Sequence, residues 1–123
     1  TEALQHYFKV DYLDPKSSRA WRPIAWCSFL SGKKEQALRY YEKIIDEKPT
    51  PQDFLNAGHV EFSLNHIRQA LVYYQKSIAA GGNKLESFLQ AFRQDLPDLI
   101  AAGISPGDIP VVLDELMYSN LPE

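Results

Sequence analysis

The residues able to do chemistry come in few and poorly matched sets. His59 and Glu61 stand two apart, which puts them on different sides of a helix, and no cysteine pair completes a zinc site with the histidine. That spacing reads best as a surface histidine. Cys27 is the single cysteine, so it forms no internal disulfide, fits no redox spacing and has no histidine at helical distance; it reads as an inert thiol among apolar neighbours. Asp95 with Asp98, and Asp114 with Glu115, supply the paired carboxylates that acid and base catalysis requires, but charges of this kind near helix ends are usually solvated partners of the helix dipole. Gly81 and Gly82 are followed by no lysine-serine signature, so they do not make a phosphate loop. These residues argue against an enzyme and against a bound metal or organic cofactor.

The elements that must position any site are helical. The 123 residues are 45% hydrophobic and 24% charged, the composition of one globular domain with a packed core. A net charge of -3, with lysines and arginines interleaved among acids, leaves no basic stripe for nucleic acid. No apolar run approaches the roughly 20 residues that span a bilayer, so membrane insertion is not expected. The free thiol permits a reducing compartment and points toward the cytoplasm, without fixing an address.

Internal repetition organises the whole chain. Ala-Leu recurs at Ala3, Ala37 and Ala70, each time with a tyrosine at Tyr7, Tyr41 and Tyr74 and a lysine at Lys9, Lys43 and Lys76. Ala3 and Ala37 are 34 residues apart, as are Pro15 and Pro49, while Ala37 and Ala70 are 33 apart. A period of this length marks one supersecondary unit copied along the chain, each copy burying its apolar face on a neighbour.

Local signals divide each copy into two helices. In residues 17–49, Ser17 and Ser18 are caps for a helix bearing Trp21, Ile24, Ala25, Phe29 and Leu30, Gly32 turns the chain, and a second helix runs from about Lys34 to Glu47 before Pro49. In residues 50–82, Thr50, Pro51 and Asp53 start a helix carrying Phe54, Ala57, Gly58 and Phe62, Asn65 takes the place of the turn glycine, and Ile67 to Ala80 forms the second helix. Residues 1–15 read as the second helix of a truncated copy. Residues 83–123 read as a degenerate copy with capping helices: a stripe from Leu85 to Ile100 broken near Asp95 to Pro97, then a last helix started by Ser105, Pro106 and Asp108 and ending near Ser119. Because the first copy lacks its partner helix and the chain opens at Thr1, it reads as the C-terminal piece of a longer array.

These residues resemble the tetratricopeptide repeat family. The aromatic, small, turn, small, aromatic and proline positions of that unit fall on Trp21, Ala25, Gly32, Ala37, Tyr41 and Pro49, and then on Phe54, Gly58, Asn65, Ala70 and Tyr74. Ser28 and Glu61 stand where the family often has tyrosine, and Gly82 replaces the last proline. The resemblance implies an all-α fold, a right-handed superhelical stack of antiparallel helix hairpins with a helical cap. It further implies a non-catalytic scaffold that holds a protein or peptide in a concave groove lined by the first helices. The groove residues would be Arg19, Arg22, Trp26 and Phe29 in one copy and Leu55, His59, Phe62 and Ser63 in the next. For Phe29 and Phe62 a core position is the stronger reading, whereas Trp26 is a second tryptophan beside the hairpin's own and favours the groove. Trp26 and His59 occupy positions where a carboxylate clamp would want asparagine, so the groove suits apolar anchors with some acidic character rather than a chaperone's C-terminal tail. Two alternatives belong to other classes: a secretion or assembly chaperone for a client protein, and self-association as a homodimer through the uncovered first helix with Tyr7, Phe8 and Tyr12.

Overall fold

The structure, a computed structural model, describes residues 20–120. Arg19, the Ser17 and Ser18 caps, and the expected dimer contacts Tyr7, Phe8 and Tyr12 lie outside those residues. The described chain is all-helical: seven helices and no strand, as the periodicity predicts. They are α1 (Trp21–Leu30), α2 (Lys34–Ile45), α3 (Pro51–Ser63), α4 (Ile67–Ala80), α5 (Leu85–Gln94), α6 (Leu96–Ala101) and α7 (Asp108–Ser119). The most extensive packing joins α3 to α4 and α1 to α2, and α2 to α3 comes next.

The turns form where the sequence places them. Gly32 has φ +82° and Asn65 has φ +64°, the left-handed conformation that glycine and asparagine adopt at least cost. At Gly32 the N–H donates to the Phe29 carbonyl at 3.1 Å and the following N–H, of Lys33, to Ser28 O at 2.8 Å. The same pair at Asn65 runs to Phe62 O at 3.0 Å and from His66 to Glu61 O at 2.9 Å. Both are Schellman turns, which satisfy the last free carbonyls of α1 and α3. Thr50 starts α3 with a full capping box: its Oγ1 accepts from Asp53 N–H at 3.3 Å, and its own N–H donates to Asp53 Oδ2 at 2.8 Å. The expected break falls at Asp95, with Pro97 in the first turn of α6, where a missing N–H costs nothing. One boundary differs. Helix α2 ends at Ile45 rather than Glu47, because Asp46 and Glu47 oppose the negative end of the helix dipole and Lys48 precedes a proline.

Small residues sit where the helices come closest. Ala25, Ala37, Ala57 and Ala70 are fully buried, and Tyr41 and Tyr74 lie beside them at 1% and 0% exposure. At Gly58 the approach is tighter still, since a Cβ there would lie 2.5 Å from Cε1 of Tyr74. The residues that stand where tyrosine was expected have found polar partners: Gln36 Nε2 donates to Ser28 Oγ at 2.7 Å, and His66 Nδ1 lies 3.0 Å from Glu61 Oε1. The final helix packs on α4, and Asn120 Nδ2 bridges Leu116 O at 2.7 Å to Gln75 Oε1 at 3.1 Å.

Candidate functional site

The positions expected to line a groove divide into a closed set and an open one. The closed set centres on α3. His59 is fully buried, not at the surface as its sequence neighbourhood suggested, and Leu55 and Phe62 are 2% and 3% exposed. The cause is the segment after Gly82, whose worn pattern concealed where it goes. Phe92 of α5 lays its ring 5.2 Å from the His59 ring, and Asp95 Oδ2 lies 2.9 Å from His59 Nε2. On the other side, Tyr74 of α4 brings its hydroxyl 2.8 Å from His59 Nδ1.

Elementary chemistry assigns the protons in this row. Asp95 as a carboxylate can only accept, so Nε2 of the imidazole carries hydrogen and Nδ1 accepts from the Tyr74 hydroxyl. Burial holds the His59 pKa below its ordinary value although Asp95 and Asp98 pull it upward, and burial raises that of Tyr74 well above its own. The imidazole is therefore neutral and the phenol protonated near neutral pH. Carboxylate, imidazole and hydroxyl in this order match the logic of an activated nucleophile. Here, however, the hydroxyl belongs to a fully buried ring packed edge-on to Phe88 and Phe92 at 5.6 and 5.4 Å. The row acts as a clamp on α3, α4 and the junction of α5 with α6.

Arg22 and Ser63 are likewise occupied within the chain. The Arg22 guanidinium makes a forked pair with Asp53, Nε to Oδ1 at 2.8 Å and Nη2 to Oδ2 at 2.7 Å. It ties the first turn of α1 to the first turn of α3. Burial alone would raise the Asp53 pKa, but Arg22 and the Thr50 N–H hold it below the usual carboxylate value. Ser63 Oγ donates to Val60 O at 2.7 Å, and the Ser63 carbonyl accepts from Lys34 Nζ at 3.1 Å. The same ammonium donates to Ala102 O at 2.7 Å, so Lys34 closes the C-terminal ends of α3 and α6 together.

The open set lies on α1. Phe29 is 1% exposed and belongs to the core, the stronger of its two readings. Trp26 is half-buried, its ring 5.4 Å from that of Phe29, and Leu30 one turn later is 52% exposed. Beside Leu30 a cavity of about 310 Å³ separates Phe29, Leu30 and Lys34 from Asp98 and Ala101 of α6 and the following Ala102. Cys27 is half-buried and free.

Sequence reasoning missed Lys34, Asp53 as a bridge, and the reach of Asp95. Their partners lie 29 to 68 residues away in the chain, where helical spacing gives no signal. No family model matches this chain, and neither a curated protein nor a solved structure is similar enough to count as a match.

Proposed function

We propose that the chain is a non-catalytic scaffold of the tetratricopeptide kind, a right-handed stack of hairpins that holds a protein or peptide partner. One observation carries the reading: the two hairpins repeat each other's packing at an interval of 33 residues. Ala25 and Gly58, Phe29 and Phe62, Ala37 and Ala70, and Tyr41 and Tyr74 are all buried pairs, while Gly32 and Asn65 share one turn geometry. A chain that spends its periodicity on stacking leaves recognition to the side chains between the stacking positions. Trp26 and Leu30 are those side chains on α1, and an aromatic anchor one helical turn from an exposed leucine that lines a cavity is the type of feature on which binding energy concentrates.

The test is selection of displayed peptides on the full chain, followed by titration of the selected peptides. Trp26→Ala and Leu30→Ala should each weaken binding about tenfold or more, the usual scale for a central aromatic or apolar anchor, while circular dichroism stays helical. Selected peptides that bind both variants as tightly as the parent chain would remove α1 from the site.

A further inference from the structure

Next to the site proposed above, a segment of the same chain lies against His59 and Lys34. Residues 95–104 meet α3 at Asp95 and the first turn of α2 at Ala102, with the cavity between α6 and the end of α1. Asp95 gives a carboxylate oxygen to His59 at one end. Ala102 gives a carbonyl to Lys34 at the other. Between and just beyond these, Leu99 and Ile104 are the apolar anchors, at 0% and 5% exposure. Pro97, Ile100 and Ala101 face outward. Among the described helices, α6 packs slightly on α5, its neighbour in the chain.

From this we propose that the face built by Lys34, His59 and the flank of α1 is a docking site for a short acidic helix, and that α6 occupies it as an internal stand-in. This rests on the scaffold reading. The occupant that fits is a partner segment with a carboxylate at its start, a leucine four residues later and a free helix C-terminus. The carboxylate meets the His59 N–H, the leucine enters the core, and the negative end of the short helix meets the Lys34 ammonium. Displacement has a physical basis: α6 is six residues long, lies between the break at Asp95 and the turn at Gly103, and is set apart from the end of α1 by the solvent-open 310 Å³ cavity. A partner that fills that cavity against Leu30 and Phe29 gains contacts that α6 does not make.

The experiment uses the full chain and a fluorescein-labelled synthetic peptide with the sequence of residues 94–105, QDLPDLIAAGIS. Leu99→Asp in the protein should eject α6 and raise peptide affinity at least tenfold over the parent chain, while circular dichroism stays helical. Adding Lys34→Met to that variant, or placing Asp95→Asn in the peptide, should cost about tenfold. Equal affinity of parent and Leu99→Asp protein for the peptide would overturn the proposal. Native-state hydrogen exchange on the parent chain tests it without any substitution: amides of α6 should exchange at least a hundredfold faster than those of α3 and α4, and exchange of α6 only with global unfolding would sink it. Should Leu99→Asp sediment as a concentration-dependent dimer, the occupant is the α6 of a second copy, and the partner form of the proposal fails. Peptide capture in trans together with failure of the displayed-peptide selection would leave the docking site standing and remove the outside partner, so the two readings fail separately.

Discussion

Gly58→Ala puts the closeness of α3 and α4 to a test of sign. In an isolated helix this change stabilises by about 1 kcal/mol, because alanine loses less backbone entropy than glycine. In this protein the new Cβ would lie 2.5 Å from Cε1, 2.6 Å from Cδ1 and 3.1 Å from Cζ of Tyr74, so the ring must move by about an ångström to reach ordinary contact at about 3.5 Å. The ring has nowhere to go. Phe88 and Phe92 stand edge-on against it, and its hydroxyl is committed to His59 Nδ1 at 2.8 Å. Overpacking of a filled core costs about 1 to 3 kcal/mol, and weakening the buried hydrogen bond adds about 1. Set against the propensity gain, the net is a loss of about 1 to 3 kcal/mol, or a fall in Tm of about 4 to 12 °C for a domain of this size. Thermal melts followed by circular dichroism measure it. The control is the same substitution in a Tyr74→Ala background, where the obstruction is gone and alanine should become neutral or stabilising. A Tm that rises in the parent chain would mean that α3 and α4 are farther apart than this packing requires.

Three further outcomes follow from particular contacts. The pKa of His59 is depressed below its ordinary 6.5 in the folded chain, so its contribution is complete above that value and is lost as pH falls below it. His59→Asn should flatten the urea-derived stability profile as pH falls below about 6.5, where one proton more in the unfolded state gives a slope of up to about 1.4 kcal/mol per pH unit. Asp53→Ala removes both a capping box and the buried half of an ion pair and should cost about 2 kcal/mol, and Arg22→Ala, which leaves the buried Asp53 carboxylate without its cation, should cost at least about as much in urea denaturation. Asn65→Gly should be neutral or slightly stabilising and Asn65→Ala should destabilise by about 1 kcal/mol, because φ is +64° at that turn; equal melting temperatures for the two variants would argue against the left-handed turn.

How much of this was legible depends on how far apart the interacting residues lie. The helices of both hairpins, the turns at Gly32 and Asn65, the cap at Thr50 and the break at Asp95 all follow from chemistry within a few residues, and each appears in its expected place. Even the early end of α2 has a local cause that Asp46, Glu47 and Pro49 announce. The site was less legible. His59 lies between Phe54 and Phe62 in a helix with an apolar stripe, and nothing nearby reveals that Asp95, 36 residues on, would cover it. Arg22 reads as a groove residue because its acid is in another hairpin, 31 residues away. A repeat pattern reports which residues stack. It is silent on a segment that departs from the pattern, and residues 95–104 are that segment.

The difference between Trp26 and His59 follows from the same cause. They are 33 residues apart and hold the same place in successive hairpins, so their own helices give them like surroundings. What separates them is the chain downstream. His59 receives Phe92, Asp95 and the lid of α6, becomes fully buried and is left with an internal partner on each ring nitrogen. Trp26, one hairpin earlier, keeps part of its surface, one helical turn before the exposed Leu30. The closure therefore runs inward from the C-terminal side and stops short of α1. A partner that binds this face has its first foothold at Trp26 and Leu30 and gains the α3 positions only by moving α6. On that account, partner binding should proceed in two kinetic steps in stopped-flow fluorescence, a fast concentration-dependent phase and a slower one set by α6 opening. Leu99→Asp should merge the two, and a single phase in the parent chain at all concentrations would rule out the ordered route.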